Sequence, residues 1–109
     1  MNHVCLSGRI SDDGPKIGWT ESGKPQTTFT LIVEEPGREG SPFKTFVPVC
    51  LIGAKAEEAA ETLEANTVVL VTGKLAYKAG KTKDSGKLTV LCFGVEVLSP
   101  TAPAGERPS

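Results

Sequence analysis

Residues 67–98 read TVVLVTGKL (67–75), AYKAGKTKDSGK (76–87) and LTVLCFGVEVL (88–98). Two apolar, β-branched runs flank a polar segment, the pattern of a β-hairpin. From Lys74 to Lys87 the segment holds five lysines (Lys74, Lys78, Lys81, Lys83 and Lys87) against Asp84 alone, a local charge of +4 in a 109-residue chain of net charge −1. Tyr77 is the aromatic among them. Two readings fit such a finger: a solvated tip kept basic against edge aggregation, or a surface that attracts phosphates while an aromatic face stacks on bases.

Composition bounds the rest. A chain of 109 residues, 39% hydrophobic and 23% charged, fits one soluble globular domain. With an overall charge of −1, affinity for a polyanion must be local and not a property of the whole surface. No apolar run approaches a membrane span, and MNHVCLSGRI lacks the charged start and long apolar stretch of a signal peptide, so a cytosolic location is expected. Cys5, Cys50 and Cys92 are odd in number, widely spaced and embedded in strand-like runs, which suits reduced core or sheet residues better than a disulfide framework or a zinc site. His3 is the sole histidine and has no ligand partners at metal spacing. GxSxG, P-loop, HExxH and CxxC motifs are absent, so neither an enzyme nor a cofactor or metal site is expected.

Upstream of the hairpin, Val4, Leu6, Gly8 and Ile10 alternate with Cys5, Ser7 and Arg9, the period of a half-buried strand. SDDGPKIGWTESGKP reads as turns, with a reversal at Ser22-Gly23. QTTFTLIVEE is a strand with Thr27, Phe29, Leu31 and Val33 on one face; PGREGSP is a loop; FKTFVPVCLIG is a further strand, in which Pro48 implies an edge or a bulge. AKAEEAAETLEAN changes to helical period, with an apolar stripe of Ala56, Ala59, Ala60 and Leu63 and an acidic outer face. The end, SPTAPAGERPS, has the composition of a disordered tail.

The expected order is strand, strand, strand, helix, strand, strand. That is an all-β fold with one helix: a five-stranded OB-fold Greek-key barrel, the helix lying between strands 3 and 4. The domain is expected over residues 1–99, with a disordered Pro-rich tail over 100–109. OB barrels bind on the face of their second and third strands and through the loops joining strands one to two and four to five, and the lysine finger is the latter loop.

Several segments resemble the bacterial single-stranded DNA-binding protein family. NHVCLSGRI is similar to that family's opening N-x-V-x-L-x-G-R/N-L, GWTESGKPQTTFTLIVEE to its second-strand segment, and FVPVCLIGAKAEEAAETLEANTVVLVTGKL to its third strand, helix and fourth strand. The ordered set spans nearly all of residues 2–98. The resemblance implies an OB fold that oligomerises, usually as a tetramer, and binds single-stranded DNA without sequence preference. Phe46 stands where the family has a stacking tryptophan, Trp19 where it often has tyrosine, and Arg9 at its first-strand basic position. Ile52 replaces a Phe or Trp and LAYKAGK replaces a segment that often carries Arg and Trp, so weaker binding is expected, with Tyr77 an approximate substitute. The family usually ends in a long tail with an acidic, Phe-ended tip that recruits other replication proteins, and PAGERPS does not resemble that tip. The shorter form also resembles primosomal replication protein N, a dimeric relative that assists replication restart through single strands and a helicase. A third reading is an OB-fold module for assembly with replication proteins.

The residues expected to touch DNA are therefore Arg9, Trp19, Phe46, Tyr77, Lys78, Lys81, Lys83 and Lys87. Val47, Val49 and Leu51 share the expected core face of their strand, which turns Phe46 toward the binding surface. Trp19 suits either stacking or packing at a barrel end. The lysines act on phosphates and not on bases. Phe29 and Phe93 are expected in the core.

Overall fold

The computed structural model describes residues 1–37, 40–78 and 86–99. Its elements are β1 (Val4–Ile10), β2 (Lys16–Trp19), β3 (Pro25–Glu35), β4 (Phe43–Ile52), α1 (Ala54–Thr62), β5 (Val68–Lys78) and β6 (Lys87–Ser99). One six-stranded sheet runs in the order β1-β5-β6-β4-β3-β2, and β1 also pairs with β3 through Arg9 and Ile10. All ladders are antiparallel except β4–β6, which is parallel. Among the described residues no helix is long and apolar enough to cross a membrane.

Alternation builds the interior. Leu6 and Gly8 of β1 pair with Val71 and Val69 of β5, and Leu31 of β3 pairs with Val47 of β4. The centre is Ile10, Leu31, Val49, Val69, Val71 and Val90, each 1% exposed or less. α1 packs against β3 and β4 through buried Ala56 and Ala59. The fully buried hydroxyl of Thr27 donates to the Ala56 carbonyl at 2.6 Å, fixing the helix to β3. Leu63 ends the helix in an extended conformation and is itself buried, so the apolar stripe reaches one residue past the helix.

The expected count of five strands becomes six, because residues 16–19 form β2 where only turns were read. Their ladder to Pro25–Thr28 outweighs a turn-rich composition. The reversal at Ser22-Gly23 is present: Gly23 has φ 85 and donates to the Thr20 carbonyl. Pro48 occupies neither an edge strand nor a bulge, since β4 lies between β3 and β6 and its register with β3 is continuous. It stands one residue before the β4–β6 ladder begins at Val49, where β4 has a single ladder partner.

Phe93 corrects a second expectation. It falls at the register shift between Thr72 and Gly73, where β6 carries an extra unpaired residue, and it is 51% exposed instead of buried in the core. Phe29 is in the core. Cys50 and Cys92 are buried, whereas Cys5 lies on the exposed side of β1. The tail over 100–109 lies outside the described residues.

Candidate nucleic-acid interface

Because Thr27, Phe29 and Leu31 point into the core, Gln26, Thr28 and Thr30 point outward from β3, and Ile32, on their side of the strand, is itself buried. The register sets them opposite Ile52, Cys50, Pro48 and Phe46 of β4, in that order. Its first three pairs, from Gln26–Ile52 to Thr30–Pro48, are the floor of a groove of about 580 Å³. One wall is the segment after β1, with Ser11, Asp13 and Gly14, together with Lys16 of β2; the other is the base of the β5–β6 hairpin, with Tyr77, Lys87 and Leu88. Backbone bonds hold the first wall in place: Ser11 N–H donates to the Thr30 carbonyl and Gly14 N–H to the Ser11 carbonyl, both at 3.0 Å.

The expected contact residues divide. Tyr77 lines the groove, 63% exposed, with its ring lying over Gly86, and Lys87 lines it beside Tyr77. Phe46 is on the same outer face, 61% exposed and across from Ile32, but one pair beyond the residues that line the groove. Ile52 offers an aliphatic surface on the floor.

Trp19 is not part of this assembly. It pairs with Pro25, on the side of the strand that carries Thr27, and so faces away from Gln26 and Thr28. Arg9 is turned to the fold itself: Nε lies 3.4 Å from Oε1 of Glu34, and Nη1 donates to Oδ1 of Asn66 at 3.1 Å. Lys78 pairs with Lys87 at the end of the ladder. Lys81 and Lys83 lie outside the described residues, as does most of the finger's tip.

Charge within the groove is mixed, Lys16 and Lys87 against Asp13. Among the described residues the one displaced titration lies beneath the surface: burial, opposed by hydrogen bonding with the Gly94 and Thr72 backbone, pushes the Cys92 thiol up. Among the described residues no group of three His, Cys, Asp or Glu could hold a metal ion.

The model of the single-strand binding protein family matches residues 1–97. The chain belongs to this family. Among its relatives, the single-stranded DNA-binding protein of Thermotoga maritima is 32% identical over 91 residues, covering 80% of this chain and 64% of the relative. The single-stranded DNA-binding protein of Clostridium tetani is 30% identical over 86 residues, covering 77% of this chain and 59% of the relative. That of Paenarthrobacter aurescens is 29% identical over 105 residues, covering 90% and 60% respectively. The chain thus spans about three-fifths of the length of these relatives.

For a single-strand binding family member, the groove has residues that reading the sequence for charge and rings passes over. Ser11, Gln26, Thr28 and Thr30 line it. The signal for three of them is the alternation of QTTFTLIVEE itself: once Thr27, Phe29 and Leu31 are inward, their neighbours must face outward.

Proposed function

We propose that the chain binds single-stranded DNA without sequence specificity, as a non-enzymatic protein that protects or organises single strands during replication, recombination or repair. The observation that carries this reading is the groove across β3 and β4, walled on one side by the segment after β1 and on the other by the base of the β5–β6 hairpin. A family match over residues 1–97 supports it.

The architecture we infer is an OB-fold barrel over residues 1–99 with β2 as an appendage. Its support is the cycle of pairings β1–β3, β3–β4, β4–β6, β6–β5 and β5–β1, with the helix between β4 and β5. Phe46 and Tyr77 supply stacking surfaces and Lys78, Lys81, Lys83 and Lys87 attract phosphates. The chain acts as a homo-oligomer in the cytoplasm: from Val4 to Gly8, β1 is laddered on one side only, leaving an edge for a second copy.

Fluorescence anisotropy of labelled oligo-dT tests the reading. Binding that weakens linearly in log salt, with a slope near −0.7 per neutralised phosphate, supports it. Absence of binding at low salt rejects it.

A further inference from the structure

We propose that Thr28 and Thr30 hydrogen-bond to the edges of unstacked nucleobases, so that the centre of the groove holds bases by their polar edges and not by stacking; this rests on the single-strand reading above.

Both residues point outward from β3, are half-buried, and lie on the groove floor opposite Cys50 and Pro48. Other threonine hydroxyls of the fold are used internally: Thr27 donates to the Ala56 carbonyl at 2.6 Å and Thr89 to the Pro48 carbonyl at 3.0 Å. The hydroxyls of Thr28 and Thr30 have no partner among the described residues, although they sit in the same groove as Thr89. Ser11 adds an independent sign. Ser11 lines the groove, and its Oγ is shielded from solvent and has no hydrogen-bond partner among the described residues. Its backbone N–H is bonded to the Thr30 carbonyl, which puts Ser11 next to that threonine.

The opposite row offers no ring on which to stack. Pro48 and Cys50 face the threonines and Ile52 faces Gln26, while Phe46 lies beyond the groove and Tyr77 on its wall. A base entering between them meets aliphatic surface and hydroxyls. A hydroxyl both donates and accepts, so it matches any base edge, and in a single strand those edges are unpaired.

The test compares the full chain's affinity for oligo-dT with that for an oligomer of equal length in which difluorotoluene replaces thymine, keeping its shape without its hydrogen-bonding edge. The wild type is expected to favour oligo-dT about tenfold, the worth of one net hydrogen bond or slightly more. The double variant Thr28→Val, Thr30→Val is expected to bind both oligomers equally, and Thr28→Ser, Thr30→Ser to keep the preference. Equal wild-type affinity for the two oligomers overturns the proposal without depending on any variant's folding. Retained preference in a folded valine variant overturns it as well. Failure of the wild type to bind either oligomer removes the single-strand reading and the proposal with it.

Discussion

Arg9 and Glu34 form an ion pair across β1 and β3, Nε to Oε1 at 3.4 Å, at the point where β1 leaves β5 to meet β3. Asn66, which accepts from the same guanidinium, has φ 65 and donates its own N–H to the Ile10 carbonyl at 2.7 Å. Arg9 therefore ties three segments together. Arg9→Ala is expected to lower stability by about 0.5–1.5 kcal/mol, the worth of a partly exposed pair and a hydrogen bond, as read from the urea midpoint. Oligo-dT affinity should change by less than about twofold, since a cation already paired within the protein releases few counterions. A large loss of affinity would restore Arg9 to the interface.

Thr27→Val keeps shape and strand propensity but removes the bond from the buried hydroxyl to the Ala56 carbonyl. The expected loss is about 1 kcal/mol. Hydrogen exchange should rise in α1 before it rises in the central strands, because the bond anchors the helix and not the sheet.

A Cβ on Gly8 would press into the Ile32 carbonyl and come within 3.3 Å of the Leu31 side chain, whereas a Cβ on Gly18 meets nothing within 4 Å. Gly8→Ala is expected to cost about 1–3 kcal/mol through overpacking where β1 crosses β3. By contrast, Gly18→Ala should be neutral or stabilise by up to about 1 kcal/mol, because it restricts the unfolded chain. Thermal melts of the two variants check the contrast.

These contrasts also show what was legible in the sequence. The long runs with a clean period declared themselves: QTTFTLIVEE appears as β3, all but Pro25, the alanine stripe as α1, and the segments flanking the lysines as β5 and β6. β2 was hidden because four residues containing a glycine carry little pattern, and their stability comes from the ladder to β3. Phe93 was misplaced because its ring was read as core, whereas alternation with buried Val90 and Cys92 puts it on the outer side of β6. Arg9 looked like an outward basic residue, but its guanidinium is engaged within the fold; its partners Glu34 and Asn66 are 25 and 57 residues away, which no local pattern encodes. Trp19 was drawn to the site by its ring, but its register with Pro25 turns it to the other face. Oligo-dT should accordingly quench Trp19 fluorescence only weakly while anisotropy reports full binding.

Cys92 sets a pH limit. Burial raises its thiol above the ordinary value of 9.0, so as pH rises through that value the unfolded chain loses its proton first. Stability from this group is present below pH 9.0 and is lost above it. Melting temperature should be insensitive to Cys92 at neutral pH and fall in alkali, less steeply in Cys92→Ala than in the wild type. In the native state Cys5, on the exposed side of β1, should be alkylated well before Cys92.

The most direct measurement is the affinity of Phe46→Ala and Glu58→Ala for labelled oligo-dT, titrated at several salt concentrations beside the wild type. Both residues are exposed, but Phe46 lies on the outer face of β4 and Glu58 on α1, outside the groove. Loss of one stacked base, about 1–3 kcal/mol, predicts a roughly 5- to 150-fold weakening for Phe46→Ala with the salt slope unchanged. Glu58→Ala should bind as the wild type does. Equal affinities for the two variants, or a Phe46→Ala protein that binds as tightly as the wild type, would contradict the assignment of the β3–β4 face as the single-strand binding surface.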